Sequence, residues 1–224
     1  MPCDEMRGKF ITIEGGEGTG KSTHAAFLSE RLKSLGLEVV LTREPGGSPG
    51  AEVIRHVLLS GAAKPLGVEA EAFLFAAARE DHVRSTIQPG LSRGAWVISD
   101  RFLDSTRVYQ GTLGHLDDKF IRALERVTLD GLKPDLTFIL DVPAEVGLAR
   151  ATKRRGEESA DRFESESLAT HSALREAYRA LAAKEPERCV LVDATDSKSA
   201  VAELIWQTVN ERLSPAMVPL TVAS

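Results

Sequence analysis

The chain has 224 residues, 42% of them hydrophobic, enough for one medium-sized domain with a substantial core but not for two. Its formal net charge of −5 argues against a scaffold held to nucleic acid by bulk positive charge, so anion binding must be local. No run approaches the ~18 apolar residues needed to span a bilayer, and 1–8 lack the apolar stretch of a signal peptide, so the expectation is a soluble, cytoplasmic protein without a membrane partner.

Phe10-Ile11-Thr12-Ile13 reads as a short apolar strand, and it enters Gly15-Gly16-Glu17-Gly18-Thr19-Gly20-Lys21-Ser22, which satisfies the phosphate-loop pattern G-x-x-x-x-G-K-[ST] at every required position. Glycines let a backbone curl closely around phosphate oxygens, Lys21 adds a mobile charge, and the Ser22 hydroxyl is a ligand for Mg²⁺. Leu28, Leu32 and Leu35 then recur at i, i+4, i+7 with Gly36 as a stop, so the phosphates would sit at a helix N-terminus. The chain is therefore expected to bind a nucleoside triphosphate.

Residues 38–42 predict a second strand, which runs into the loop Arg43-Glu44-Pro45-Gly46-Gly47-Ser48-Pro49-Gly50. Arg43 and Glu44 fall at a strand's C-terminal edge, where open α/β sheets bind ligands; a solvated connector fits the same spelling. A helix over 51–59 carries Arg55. From 68 to 91 the pattern predicts one long helix with Ala70, Phe73, Leu74 and Ala77 as its core face. Phe75 and Arg79, four apart, share another face, either to stack on a base and bond its edge or as a core ring beside a solvated cation.

The apolar strand 95–100 ends in Asp100-Arg101, an acid placed to help hold Mg²⁺ beside a guanidinium suited to a phosphate. The polar stretch 104–111 leads to a helix whose buried stripe is Phe120, Ile121, Leu124 and Val127, and 136–141 form a fourth strand. The next helix, from about 143, ends in the cationic run Arg150, Lys153, Arg154, Arg155 before Gly156. Arg150 and Arg154 share a helical face and can converge on one anion, which predicts a lid over about 150–164, although a charge run can equally be a solvated face. A fifth strand, 189–193, and a helix through Ala202, Leu204, Ile205 and Val209 complete the chain. Cys189, in that strand, reads as core, and with Cys3 makes a poor disulfide pair, as expected in a reducing compartment. Alternating strands and helices imply βαβ units and a parallel sheet, in one domain over 1–224 with flexible tails at 1–8 and 214–224.

Together, Glu14-Gly15-Gly16-Glu17-Gly18-Thr19-Gly20-Lys21-Ser22-Thr23, Thr42-Arg43-Glu44-Pro45-Gly46-Gly47, Phe75-Ala76-Ala77-Ala78-Arg79, Asp100-Arg101-Phe102, Ser105-Thr106-Arg107-Val108-Tyr109-Gln110-Gly111, Lys133-Pro134-Asp135-Leu136-Thr137 and Asp161-Arg162-Phe163-Glu164 resemble bacterial thymidylate kinase. The resemblance implies an α/β P-loop NTPase fold of the nucleoside monophosphate kinase type, with a five-stranded parallel sheet, flanking helices and a small lid. It implies phosphorylation of dTMP to dTDP, for dTTP synthesis, with ATP and Mg²⁺ in a homodimer.

By the same resemblance, residues 15–23 (Gly15, Gly16, Glu17, Gly18, Thr19, Gly20, Lys21, Ser22, Thr23) bind the nucleotide, and Ser22 and Asp100 serve the metal. Phe75 matches the ring that stacks on thymine, Arg79 the residue that bonds the base, and Arg101 and Arg55 the arginines on the acceptor phosphate. Tyr109 matches the ring that crowds the 2′ position, Ser105, Thr106 and Gln110 the polar lining near the base, and Glu17 an acid on the sugar and acceptor side. Arg43, Glu44 and Phe163 join this substrate set, and Lys21, Arg101 and the lid arginines Arg150, Arg154 and Arg155 the catalytic one. With Glu17 and Thr19 inside the phosphate loop, the chain is similar to the type whose catalytic arginine comes from the lid, and Arg154-Arg155-Gly156 offers two candidates for it.

The nearest rival is another nucleoside monophosphate or deoxynucleoside kinase on the same fold. A switch GTPase would need N-K-x-D and D-x-x-G motifs, which the sequence lacks, and a mechanochemical ATPase would usually carry further domains.

Overall fold

Three of the strands are apolar almost throughout, and a strand buried on both faces is most stable in a parallel sheet covered by helices on each side. The computed structural model, which describes residues 7–155 and 162–215, has that arrangement. Strands β1 (Phe10–Gly15), β2 (Val39–Arg43), β3 (Trp96–Asp100), β4 (Leu136–Asp141) and β5 (Cys189–Asp193) form one parallel sheet in the order β2-β3-β1-β4-β5. β1 is central, and the chain crosses from one side of it to the other between β3 and β4, so the crevice beyond its C-terminal end is the ligand position of an open sheet.

Register decides what meets there. Ile13 pairs with Asp100 on one side and Phe138 on the other, and Arg43 pairs with Asp100. The ends of β1, β2 and β3 therefore reach one edge together. At the opposite edge Asp135 accepts from the Phe10 amide at 2.7 Å and donates its own amide to the Phe10 carbonyl at 2.8 Å, which fixes that register. Within the sheet the buried hydroxyls of Thr12 and Thr137 satisfy one another at 2.7 Å.

Helices α1 (Lys21–Ser34) and α9 (Lys198–Leu213) cover one face of the sheet, where Leu28, Leu32, Val201, Ile205 and Val209 pack against Ile11, Ile13, Phe138 and Val192. The remaining helices are α2 (Pro49–Leu59), α3 (Val68–His82), α4 (Gln88–Ser92), α5 (Leu103–Thr106), α6 (Asp118–Leu129), α7 (Ala144–Arg155) and α8 (Leu168–Lys184). Cys189 is buried, as expected of a core residue, and burial pushes its thiol up to about 12. Cys3 lies outside the described residues, as do 1–6 and 216–224 of the expected tails.

Two helix readings need correction. The helix expected over 68–91 is divided: α3 ends at His82, a π turn occupies Val83–Ile87, and α4 follows. Pro89 explains the break, since it has no N–H to continue the i→i−4 ladder. The core face of α3 is also not the predicted one. Glu71, Ala72, Ala76, Ala78, Arg79 and His82 are buried, Ala70 and Leu74 are half-buried, and Ala77 and Phe73 are exposed, Phe73 by 55%. On α6, Ile121 is buried but Phe120 and Leu124 are half-buried and Val127 is 78% exposed. A search for apolar stripes misses a helix that turns a polar, hydrogen-bonded face inward.

Candidate active site

The phosphate loop leaves β1 on glycines at positive φ, and a Cβ on Gly18 would collide with the Gly147 carbonyl of α7, so glycine is required there by a close approach. Lys21 opens α1 and donates from Nζ to the Gly16 carbonyl at 2.6 Å. Its pKa is lowered, chiefly by burial and then by Arg101, against the opposing pull of Glu17, Asp100 and Glu14. Thr19 also donates to Gly16 O, at 3.0 Å. Ser22 Oγ donates to Asp100 Oδ2, which brings together the two residues expected to serve Mg²⁺. A hydroxyl and a carboxylate are hard oxygen donors, and one carboxylate with few protein ligands suits Mg²⁺ held largely by phosphates. Among the described residues no group of three or more His, Cys, Asp or Glu side chains stands as a metal cage.

Arg101 faces this loop from the end of β3. It is a non-glycine residue at φ 68°, held there by Ser99 Oγ on its carbonyl at 2.7 Å and by its own amide on Ile13 O at 2.9 Å. Its guanidinium donates to Glu17 at 2.5 Å, Ser105 Oγ at 3.1 Å, Tyr178 Oη at 3.2 Å and Tyr109 Oη at 3.3 Å. Burial works against ionisation of Glu17, but Arg101, Lys21 and Arg154 outweigh it and hold the carboxyl down at about 2.

The other end of the cleft is built from α3 and the loop after β2. Glu44 accepts from Arg79 Nε at 2.8 Å and pairs with His82 Nδ1 at 3.0 Å, and His82 Nε2 pairs with Thr42 Oγ1 at 2.7 Å. Arg79, only 4% exposed, also donates to Phe102 O at 3.1 Å and Thr106 Oγ1 at 3.0 Å. Phe163 lies 6.0 Å from Phe75 and 5.6 Å from Tyr109, ring centre to ring centre. Arg43 pairs with Glu52 at 3.0 Å and Arg55 donates to the Pro45 carbonyl at 2.6 Å, so the loop is pinned from α2.

All twelve residues expected on the acceptor side (Glu17, Arg43, Glu44, Arg55, Phe75, Arg79, Arg101, Ser105, Thr106, Tyr109, Gln110 and Phe163) line one cleft of about 350 Å³. Gly18, Gly20, Lys21, Ser22, Thr23 and Asp100 line it too, whereas Gly15, Gly16 and Thr19 do not. Of the two readings of the loop after β2, the cleft wall is therefore the one the geometry favours. The lid arginines are not brought together. Arg154 lines the cleft and donates to Glu164 at 2.9 Å, while Arg150 donates to the carbonyls of Ala194 and Thr195 at 2.9 and 3.3 Å, beyond the end of β5. The Arg155 side chain and residues 156–161, including Asp161, lie outside the described residues.

This geometry has counterparts among known proteins. The family profile described as Thymidylate kinase matches residues 13–205. Curated thymidylate kinases from Bradyrhizobium sp. (strain ORS 278) and Bradyrhizobium diazoefficiens are 58% and 56% identical, over 94% and 97% of this chain and 93% and 95% of their own lengths. The crystal structure of thymidylate kinase from Ehrlichia chaffeensis superposes with a TM-score of 0.72 at 31% identity, covering 91% of this chain and 99% of that one. The chain belongs to the thymidylate kinase family.

Several polar residues around the cleft are not among the expected site residues, although Glu14 opens the phosphate-loop motif. Glu14, at the end of β1, is fully buried and accepts from the Phe102 amide at 2.8 Å, Ser105 Oγ at 2.7 Å and Tyr178 Oη at 3.1 Å. Burial first, and Asp104 second, push its carboxyl up to about 7 against the opposing effect of Arg101, Ser105 and Phe102. Tyr178, on α8, touches Glu14, Ser105 and Arg101 through one hydroxyl. Glu71 and His82 are buried polar residues of α3, behind the cleft wall. Glu14 had a signal in the sequence, a lone acid closing an apolar strand. Tyr178, Glu71 and His82 had none, because each acts through a neighbour distant in the chain.

Proposed function

We propose that this member of the thymidylate kinase family transfers the γ-phosphoryl group of ATP to dTMP, in the presence of Mg²⁺, across the cleft between the phosphate loop and α3. An oxygen of the acceptor monophosphate forms the new P–O bond as the bond from the γ-phosphorus to the β–γ bridging oxygen breaks, and ADP leaves. The acceptor oxygen is already nucleophilic, so the enzyme's work is alignment and charge neutralisation. Lys21 and the loop amides hold the donor phosphates, and Mg²⁺, when bound beside Ser22 and Asp100, neutralises phosphate charge. Arg101 and Arg55 hold the acceptor phosphate, Arg154 is the lid arginine that reaches the transferring group, Phe75 stacks on the base, and Tyr109 crowds the sugar edge.

The observation that carries this reading is Arg101 on Glu17 opposite Lys21, in the same cleft as the Phe75–Arg79 corner. One end is suited to phosphates and the other to a flat base. A coupled ADP-release assay over a panel of nucleoside monophosphates with ATP and Mg²⁺ tests it: dTMP is the preferred acceptor, and preference for another acceptor would overturn the substrate while leaving the phosphoryl-transfer chemistry in place. ATP hydrolysis independent of any acceptor would instead indicate an ATPase.

A homodimer is part of the proposal. Val53 on α2, Phe73 on α3 and Val127 on α6 are exposed apolar side chains, and α3 packs against both α2 and α6, so they belong to adjoining helices. Light scattering of the purified protein checks the state. No helix among the described residues is long and apolar enough to cross a membrane, and we place the enzyme in the cytoplasm, where its nucleotide substrates are.

A further inference from the structure

We propose that Glu71 is a positioning residue that locks the Gln110 amide in one orientation and thereby selects a keto pyrimidine over an amino pyrimidine at the acceptor site. Glu71 lies buried in the first turn of α3, and each of its oxygens has its own partner: Oε1 accepts from Gln110 Nε2 at 2.7 Å, and Oε2 accepts from Arg162 Nη1. A carboxylate paired with a guanidinium is ionised and can only accept hydrogen bonds. The nitrogen of the Gln110 amide must therefore face Glu71, because the reversed amide would set two acceptors against each other in a buried site.

Gln110 is itself buried and lines the cleft with Phe75, Arg79, Thr106 and Tyr109. With its nitrogen engaged, its carbonyl oxygen is the amide group left for a ligand. Arg79 is constrained in the complementary sense. Its Nε is used by Glu44 and its Nη2 by Phe102 O and Thr106, so Nη1 is the guanidinium nitrogen with no hydrogen-bond partner among the described residues. The corner thus offers a donor nitrogen, Arg79 Nη1, and an acceptor oxygen, Gln110 Oε1. That pair complements a carbonyl beside a ring N–H, the O4 and N3–H edge of thymine or uracil. Cytosine carries an amino group and a bare ring nitrogen at those positions, so a donor would meet a donor and an acceptor an acceptor. A site whose buried polar groups are left unpaired rejects the wrong ligand far more strongly than one that merely loses a contact.

The inference rests on reading this corner as the base site, and the experiment separates the two. Glu71→Gln keeps the size of the side chain, but its amide can donate or accept, so the orientation of Gln110 is no longer dictated. The ratio of kcat/KM for dTMP over dCMP is expected to fall by about tenfold or more relative to the unmodified enzyme. The change is carried by opposite movements of the two acceptor KM values, with the KM for ATP unmoved. In a Gln110→Leu background the same substitution has no further effect on the ratio, which a merely structural role would not produce. Should Glu71→Gln fold poorly because Arg162 is left without its carboxylate, Glu71→Gln with Arg162→Met removes both charges and is read by the same ratio. A ratio within about twofold of the unmodified enzyme, or losses of equal proportion for dTMP and dCMP, would overturn the lock. Phe75→Ala judges the corner separately: if it leaves the KM for dTMP unchanged, the base site lies elsewhere and the failure belongs to that reading.

Discussion

The two ends of the cleft are built on different physics. At the phosphate end a few long charged side chains, Lys21, Arg101 and Glu17, hold one another and nearby carbonyls through contacts that a ligand's own charge can replace. At the base end Glu44, His82, Arg79, Thr106, Glu71 and Gln110 are buried and mutually hydrogen-bonded, so their donors and acceptors are assigned before any ligand arrives. Neutralising phosphate charge asks for mobile cations and free N–H groups. Reading a base asks for fixed polarity, which survives only where rotation is blocked. On the proposed reading, the difference teaches that neutralising phosphate charge and discriminating among acceptor bases fall to separate residues.

Three substitutions can break or sharpen that contrast. Arg101→Ala should be the most damaging, lowering kcat/KM for dTMP by ~10³-fold or more with ATP affinity nearly intact, measured in the coupled assay. Unchanged turnover would remove its assigned role. Phe75→Ala should act at the other end, raising the KM for dTMP by about 10- to 100-fold through lost stacking, with a smaller change in kcat. Equal damage to kcat would mean that the ends are not separable. Tyr178→Phe deletes one hydroxyl that touches Arg101, Ser105 and Glu14, and should lower kcat by about tenfold while sparing discrimination between bases.

The smallest expected effect is on pH dependence, where Glu14 and Glu17 have opposite signs. The Glu17 carboxyl stands at about 2 in the fold against an ordinary 4.5, so it contributes stability above pH 4.5 that is lost as pH falls towards 2. Glu14 stands at about 7, so the folded protein keeps a proton that the unfolded chain has released, and this contribution is lost as pH rises from 4.5 through 7. Melting curves across pH should show Glu17→Gln flattening the acid limb and Glu14→Gln flattening the fall between pH 4.5 and 7. Parallel shifts with no change of slope would contradict both assignments.

How much could be read beforehand depended on the same contrast. The phosphate loop is contiguous, and its glycines and lysine are required by local geometry, so spelling alone located it. β4 and β5 fell at the expected residues because buried parallel strands are continuous apolar runs between turn residues. The expected core faces of α3 and α6 failed at Phe73, Ala77 and Val127, since periodicity assumes that the inward face is the apolar one. Arg150 and Arg154 share the right spacing, yet their long side chains diverge to Ala194 and Glu164, because spacing along a helix says nothing about which acceptors lie within reach. Glu71 was legible only as one more acid on a helix.

By itself, then, the sequence determined that a phosphate loop lies between a short apolar strand and a helix, and through its ordered motifs it pointed to the thymidylate kinase family. Such signals are local, set by backbone freedom and side-chain type over a few residues. The tertiary structure decided which partners each polar group has. Glu14 with Tyr178, Glu44 with Arg79 and Glu71 with Gln110 are 164, 35 and 39 residues apart, and a buried carboxylate accepts from whatever donor the fold delivers. Hydrogen-bond polarity at the base end is therefore a property of packing, and no linear pattern records it.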